Sequence, residues 1–434
     1  MADLLIHNAV IVDGRGERRG WIAVTGNTVT SSGEGSVVPE ASETVDARGA
    51  YLIPGLTDTH VHFRDPGLTH KADIASESRA ALAGGVTTVF DMPNTVPPVT
   101  TVAILKDKRR MIAEKHPEIR IIPLMGIAPG AMKELTELVG LEDVPAVKLF
   151  LGTTTGAMSA PADRELEDVF RFLADHNLPV IVHAEDNSLI NANMAAAVAK
   201  YGSAEAVPVS LHSAIRCREA CLRSAARAVD LAHRFSTRLH LAHVSTADEV
   251  RELLEPGPAD GKLVTAETTA MYLVPFTVAR ADSGLLKINP AIKTLDDAEA
   301  LREAVLNGKI DTLGTDHAPH LRQEKLLPGM TAMSGAPSVQ FALPVLLSML
   351  PLDVVVEKMT SGPRKVFGID VPETFAPGMR ADFSLVREVE PYVIKDSDVL
   401  SLCGWTPFDG QEVRHRVESV WVGGKLRYTR SDRF

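Results

Sequence analysis

The sequence predicts an α/β fold: a (β/α)8 barrel of the TIM type, with a small β-sandwich domain built from both termini. Two observations support this prediction. The central part of the 434-residue chain alternates short apolar runs with longer stretches of helical spacing. Such alternation is typical of parallel strands joined by helices. The two ends of the chain differ, because they consist of short β-type runs separated by Gly turns.

Both ends have the pattern of antiparallel strands. One hairpin is predicted through Gly26 and Asn27, and another through Gly423 and Gly424. Because the two ends share this pattern and flank a different middle, we expect them to meet in one β-domain. The predicted division is residues 1–55 and 372–434 for the β-sandwich domain and 56–371 for the barrel.

Eight apolar runs of the middle part are predicted to be the barrel strands. They lie at residues 55–62, 87–93, 119–126, 146–152, 179–185, 238–245, 262–269 and 310–316. Helices are predicted between most of them, at residues 72–83, 101–115, 164–175, 215–234, 247–254 and 295–308. A doubly wound open sheet would have the same periodicity. No Gly-rich dinucleotide or P-loop signature supports that alternative.

Composition limits the classes of partner. The formal net charge is −11 and no run of Lys and Arg stands out, which argues against nucleic acid or an anionic membrane as the main partner. We expect neither a signal peptide nor a membrane-spanning helix. Three cysteines suit a reducing cytoplasm. Composition therefore predicts a cytoplasmic protein whose main partner is neither nucleic acid nor a membrane.

Residue types that bind metals recur at the C-terminal ends of the predicted strands. His60 and His62 are two apart on a strand, so their side chains point to the same side. The remaining candidates follow on four later strands: Lys148, His183, His243 and Asp316. Taken singly, each is explained by packing, capping or a turn. Their recurrence at the end where barrel enzymes build active sites predicts a metal site.

This set of residues suits a metal-dependent hydrolytic site. A metal lowers the pKa of bound water from about 15.7 towards about 7, which makes hydroxide available at neutral pH. Two metal ions need a shared anionic ligand. Burial favours the neutral amine of a lysine, which can take up CO₂ to form a carbamate. We hypothesise that Lys148 is modified in this way.

Longer motifs surround these residues, and through them the sequence resembles a known family. They are DTHVHFRDPG at 58–67, DMPNTVP at 91–97, GTDHAPH at 314–320 and WTPFDG at 405–410. These motifs are similar to those of the dihydroorotase family, in the cyclic-amide branch of the amidohydrolase superfamily. The resemblance extends over nearly the whole chain.

The resemblance implies two divalent metal ions, with Zn²⁺ expected, and a role for each candidate residue. The implied metal ligands are His60 and His62 for the more buried ion, His183 and His243 for the second ion, the carbamate of Lys148 as the bridge, and Asp316, which would also move the proton. The implied substrate contacts are Arg64 and Asn94 at a carboxylate, Asn289 at the ring and His320 near the carboxylate. The implied reaction is the reversible cyclisation of N-carbamoyl-L-aspartate to L-dihydroorotate in pyrimidine biosynthesis. A homodimer is also expected from the resemblance.

Arg64 helps to separate the rival functions. An Arg side chain binds a carboxylate at two points, and Arg64 lies two residues beyond His62, so the two can share a face. This favours a ring that carries a carboxylate over the substrates of dihydropyrimidinase (or hydantoinase) and allantoinase, which remain alternatives. A catalytically inactive relative that serves as a partner protein is a further alternative. Such a protein is expected to have lost metal ligands, and this chain keeps them.

Two segments depart from the pattern of the family. Residues 268–273 replace a Pro-His-His-type segment, and residues 291–293 read Ala-Ile-Lys where an apolar pair followed by Arg is more usual. We expect these departures to change substrate contacts rather than metal ligands. The loop at 321–337 follows Asp316 and is rich in Gly, Met and charged residues. We hypothesise that it is a lid that excludes water during turnover, with an ordinary surface loop as the alternative.

Overall fold

The computed structural model describes residues 1–35, 37–152, 160–276 and 284–430, so the last four residues of the predicted C-terminal segment lie outside the described part. In chain order its strands are β1 (Ala2–Asp13), β2 (Gly16–Thr25), β3 (Thr28–Glu34), β4 (Ala41–Asp46), β5 (Tyr51–Pro54), β6 (Leu56–Val61), β7 (Val86–Asp91), β8 (Arg120–Pro123), β9 (Met125–Gly126), β10 (Val147–Phe150), β11 (Val180–His183), β12 (Leu239–Leu241), β13 (Val264–Thr269), β14 (Thr312–Gly314), β15 (Phe383–Val393), β16 (Glu412–Val422) and β17 (Lys425–Thr429).

The α-helices lie mainly between the barrel strands and after the last of them. They are Ile74–Ala83, Val102–Lys115, Met132–Leu138, Asp163–Asp175, Asn187–Tyr201, His212–Ile215, Arg218–Phe235, Ala247–Leu253, Ala270–Leu273, Leu295–Leu306, Arg322–Lys325, Ala342–Leu346, Leu352–Met359 and Ser361–Phe367. Short 3₁₀ turns are at Val209–Leu211, Gly284–Leu286, Gly329–Thr331 and Asp396–Asp398. The six helices predicted from periodicity are all present, with ends that shift by a few residues.

The two ends of the chain meet in one eight-stranded sheet, as predicted. Its order is β17-β16-β15-β5-β1-β2-β3, and β4 pairs with β1. The join is the antiparallel pair of β5 and β15, in which Leu52 faces Leu385. The rings of Phe383 and Trp421 stack at 5.0 Å between centroids in the apolar core of this sheet. Alternating apolar residues therefore bring together strands that are more than 300 residues apart.

A buried carboxylate adds a polar link between the same two ends. The side chain of Asp13, at the end of β1, lies 2.8 Å from the guanidinium of Arg18. It also accepts a hydrogen bond of 3.0 Å from the backbone N–H of Phe375. The segment that precedes β15 is thereby fixed to the first hairpin of the chain.

The middle of the chain forms the predicted barrel of eight parallel strands. β6, β7 and β8 are neighbours in one sheet, and β9 to β14 follow in order in a second one. β8 and β9 are two segments of one barrel strand, separated only by Leu124. A parallel bridge between Val61 and His317 brings the last strand back to the first. All barrel strands lie within the predicted middle segment, 56–371.

The barrel strands are covered by amphipathic helices. Helix Asp163–Asp175 shows the pattern, since Leu166, Val169, Phe170 and Leu173 recur at helical spacing and are all buried. Truncating such a leucine to alanine typically costs about 2–5 kcal/mol. Within the described ranges, no helix combines the length and apolarity that crossing a bilayer would need.

Candidate active site

Three predicted site residues lie where the backbone leaves the barrel in a left-handed conformation. The φ angles are 64° at Arg64, 41° at His243 and 47° at Asp316. Left-handed backbone costs a residue with a Cβ roughly 1–2 kcal/mol. Such conformations cluster at functional sites, where the surrounding structure holds them in place.

The first cluster joins the start and the end of the barrel. Nε2 of His62 lies 3.0 Å from Oδ1 of Asp316, and Nε2 of His60 lies 3.6 Å from the same oxygen. One ligand atom from each of these three residues lies within 4.8 Å of the others. His60 is the penultimate residue of β6 and His62 directly follows the strand, so the period of two in a strand directs both rings to one point, as the sequence predicted.

A carboxylate that the sequence analysis missed lies beneath this cluster. Oε1 of Glu267, in β13, is 3.0 Å from Nδ1 of His60, and the hydroxyl of Thr59 donates to Oε2. The space for Glu267 depends on Gly314, because a Cβ at that position would come within 2.5 Å of the carboxylate. Burial raises the pKa of Glu267 from its usual value.

The second cluster lies on β11 and just after β12. Nδ1 of His183 is 2.9 Å from Nε2 of His243. On its other side, Nε2 of His183 is 3.1 Å from the carboxylate of Glu185, which also pairs with Arg216. Despite burial, Arg216 and His183 lower the pKa of Glu185 to about 2, so this carboxylate is ionised at neutral pH.

Lys148 lies between the two clusters. Its side chain is completely buried, and its Nζ is 3.4 Å from Nε2 of His60. Burial lowers the pKa of Lys148 to about 8, so part of the population is a neutral amine near neutral pH. Burial also lowers the pKa of the four clustered histidines, His60, His62, His183 and His243.

The clusters open into a cleft on the C-terminal side of the barrel. Its lining consists of His60, His62, Arg64, Asn94, Phe150, His183, His243, Asn289, Asp316, Ala318, Ser334 and Gly335. Arg64 is only 2% exposed. It donates from Nε to the carbonyl of Pro319 at 3.1 Å, and its Nη2 is 3.1 Å from Nε2 of His320.

The other predicted substrate contacts are also at or near the cleft. Oδ1 of Asn94 is 2.6 Å from Nδ1 of His62, so Asn94 orients the ring of His62 as well as lining the cleft. Oδ1 of Asn289 is buried and has no hydrogen-bond partner among the described residues. His320 lies behind Arg64 and contacts Lys71 through Nδ1 at 3.2 Å; the described lining does not include it.

The donor set fits divalent metal ions. Neutral imidazoles and a carboxylate are common ligands of Zn²⁺. Nδ1 of His243 is buried and lacks a hydrogen-bond partner within the described ranges. In the first cluster, Nδ1 of each imidazole contacts a side-chain oxygen, that of Glu267 for His60 and that of Asn94 for His62. Such an oxygen partner is what orients metal-binding histidines in proteins.

Two carboxylates were therefore missing from the sequence-based site. Glu185 lies two residues beyond His183, the same spacing that identified His62 beside His60. Glu267 is a charged residue within a buried strand, and a charged residue in such a strand is itself a signal. These signals mark the two positions in the sequence but not the partners of their side chains.

The family profile described as "Amidohydrolase family" matches residues 51–427, and the chain belongs to this family of metal-dependent hydrolases. Its similarity to individual relatives narrows the assignment to the dihydroorotase family. The chain is 34% identical over 424 residues to a dihydroorotase of Geobacter metallireducens, covering 94% of this chain and 95% of that protein. It is 32% identical over 443 residues to a dihydroorotase of Pelobacter propionicus, covering 99% of this chain and 100% of that protein.

Among solved structures, an L-hydantoinase (dihydropyrimidinase) from Arthrobacter aurescens has a TM-score of 0.89 at 27% identity, covering 98% of this chain and 96% of that chain.

Proposed function

We propose that this chain catalyses the reversible cyclisation of N-carbamoyl-L-aspartate to L-dihydroorotate, a cytoplasmic step of de novo pyrimidine biosynthesis. The observation that carries the proposal is Arg64. Its guanidinium is buried at the cleft beside the His and Asp cluster, and two fixed contacts leave further N–H groups for a ligand. A buried guanidinium at a small cleft suits a substrate with a carboxylate.

The proposed cofactors are two divalent metal ions, of which Zn²⁺ is expected. His60, His62 and Asp316 would hold the first ion, and His183 and His243 the second. The carbamate of Lys148 would join the two, and the lowered pKa of the buried amine supports this modification. When bound, such ions supply a nucleophile from water at neutral pH and a positive charge at the carbonyl under attack.

The residues of the chain would bind the substrate and move the proton. Arg64 binds the carboxylate. Oδ1 of Asn289, for which the described residues supply no partner, accepts a hydrogen bond from a ring N–H. Ring opening adds a hydroxyl to the amide carbon, breaks the C–N bond and puts a proton on the nitrogen. We infer that Asp316 carries this proton, because its carboxylate lines the cleft beside His60 and His62. The lowered pKa of this carboxyl keeps it ionised, which is the form that accepts a proton. Ring closure uses the same group in its protonated form.

Hydrolysis of an uncharged cyclic amide is the second candidate. The structural likeness to an L-hydantoinase (dihydropyrimidinase) favours it, because the barrel and the metal-binding residue types serve either reaction equally well. The two candidates differ at Arg64. An uncharged ring offers this buried guanidinium no anionic partner, so the second candidate leaves its charge without a role.

The test is the ultraviolet-monitored ring opening of L-dihydroorotate by purified, zinc-loaded protein, with dihydrouracil and allantoin as parallel substrates. The proposal expects turnover of L-dihydroorotate and little or none of the other two. Activity on the uncharged rings alone would keep the hydrolytic chemistry but refute the role of Arg64. Inactivity on all three substrates would support the catalytically inactive alternative.

A further inference from the structure

Two buried lysines connect the loop at 321–337 to the segment that precedes Asn289, which also lines the cleft. The Lys325 side chain is completely buried. Its Nζ lies 2.7 Å from each of three backbone carbonyl oxygens, those of Lys287, Met333 and Gly335. An ammonium group has three N–H donors, so each donor has one acceptor.

Lys287 makes a second set of three contacts, from its own segment to residues of the loop. Its Nζ lies 2.6 Å from the carbonyl oxygen of Ala332 and 3.2 Å from both the carbonyl oxygen of Met330 and Oγ of Ser334. Burial lowers the pKa of Lys287 to about 8. Three acceptors around one nitrogen match the protonated form, which is the only form with three hydrogens.

Neither ammonium group forms an ion pair in the part of the chain that the structure describes. A buried ammonium group is costly unless its hydrogen bonds are made. Here backbone carbonyls and the hydroxyl of Ser334 supply them, and an apolar residue in place of Lys325 would remove a hydrogen bond from each of three backbone carbonyls. The hydrogen bonds of the two lysines therefore depend on the loop keeping its present backbone conformation.

Backbone contacts hold the same loop from other sides. The N–H of Gly335 donates to the carbonyl of Lys287 at 3.0 Å, and the N–H of Met330 donates to that of Ala204 at 2.9 Å. Gly335 has a φ of 133°, and a Cβ there would come within 2.7 Å of the carbonyl oxygen of Ala318. The loop thus has little freedom to move as a unit.

These contacts act directly on the cleft. Ser334 and Gly335 line it, and so does Asn289, two residues after Lys287. We propose that Lys287 and Lys325 are positioning residues that hold residues 330–335 as a fixed wall of the substrate cleft before any substrate binds. This differs from the lid hypothesised from the sequence, since no closure accompanies turnover. The inference rests on the proposed function only for the identity of the ligand.

Hydrogen–deuterium exchange of the metal-loaded enzyme tests the fixed wall. Peptides that cover residues 329–336 should exchange slowly in the ligand-free enzyme. Saturation with the equilibrium mixture of L-dihydroorotate and N-carbamoyl-L-aspartate should change their rates by less than about twofold. Rapid exchange without ligand, followed by protection of about tenfold or more on binding, would establish a lid and overturn the proposal.

Variants of Lys287 test the positioning role, because this residue is less deeply buried than Lys325. Lys287→Met should speed exchange at 329–336 and raise KM about tenfold with kcat changed less than about threefold, as expected for lost uniform binding. Lys287→Arg, which keeps several donors, should recover part of both effects. Lys262→Met is the matched control, since Lys262 also contacts a carbonyl, that of Gly308, but outside the cleft.

The outcomes separate this proposal from the proposed function. Normal exchange and normal KM in folded Lys287→Met would overturn the positioning role. Lys287→Gln provides a milder change should the Met variant fail to fold, and the exchange experiment on the unmodified enzyme needs no variant. Failure to open L-dihydroorotate would contradict the proposed function. Slow exchange of residues 329–336 in the ligand-free enzyme would still support the fixed wall.

Discussion

Nδ1 of His60 lies 3.0 Å from Oε1 of Glu267, and both side chains are 1% exposed. The contact directs Nε2 of His60 towards Asp316 and the cleft. A carboxylate on the far side of a metal-binding imidazole fixes the tautomer and the orientation of its ring. Glu267 thus acts on the proposed metal site from beneath it.

The first prediction concerns this carboxylate. Glu267→Gln should lower the affinity for Zn²⁺ by about 10- to 100-fold, because the neutral amide orients His60 less strongly. Competition with a chromophoric chelator measures the affinity. Asp311→Asn is the control, since Asp311 is also buried but pairs with Lys262 rather than with a histidine. Equal affinities in Glu267→Gln and the unmodified protein would contradict the role of Glu267.

Arg64→Lys should reduce kcat/KM for L-dihydroorotate by about 100-fold, since a single ammonium group cannot reproduce the two-point contact with a carboxylate. Steady-state kinetics with L-dihydroorotate, and with dihydrouracil as the ring that lacks a carboxylate, measure this loss. Arg387→Lys is the control, because Arg387 pairs with Glu418 in the terminal sheet. An unchanged kcat/KM in Arg64→Lys would remove the main support for the proposed substrate.

The proposed carbamate of Lys148 leads to a prediction about CO₂ and metal removal. Protein loaded with Zn²⁺ in ¹³C-bicarbonate should give a carbamate signal in its ¹³C NMR spectrum. A chelator should abolish that signal together with activity, because it removes the metal ions that are expected to stabilise the carbamate. Lys148→Ala should lack both, and a short carboxylic acid should restore part of the activity by replacing the anionic ligand. An active, zinc-loaded enzyme without the signal would refute the modification.

Asp13 makes a prediction about stability and pH. Burial raises the pKa of this carboxyl, but Arg18 and two backbone N–H groups outweigh burial, so the pKa lies below its usual value. Its contribution to stability is therefore complete above the unfolded pKa of about 4 and is lost as pH falls through the folded pKa. We expect Asp13→Asn to lower the free energy of unfolding by about 1–3 kcal/mol at pH 7.

Urea unfolding at a series of pH values measures this effect. The difference between Asp13→Asn and the unmodified protein should shrink below about pH 4. Asp3→Asn, at the start of the same strand, is an exposed control. A difference that stays constant as pH falls would mean that the charge of Asp13 does not cause it.

Much of the fold and of the site could be predicted because the signals are local. The barrel strands are short apolar runs, and the His60–His62 pair shows its shared face through spacing alone. Glu267 was missed because its role depends on His60, which is 207 residues away. Lys325 was missed because its partners are backbone carbonyls, which no sequence pattern identifies. The lid hypothesis for the loop that contains it remains a prediction, which the exchange experiment tests.

The left-handed backbone at Arg64, His243 and Asp316 has a consequence for how such a protein changes over time. Glycine adopts this conformation at little cost, so each position would favour glycine if folding alone were selected. Activity and stability therefore oppose each other at three separate points of one site. A descendant released from selection for catalysis is expected to lose these side chains early and to become harder to unfold as it does so.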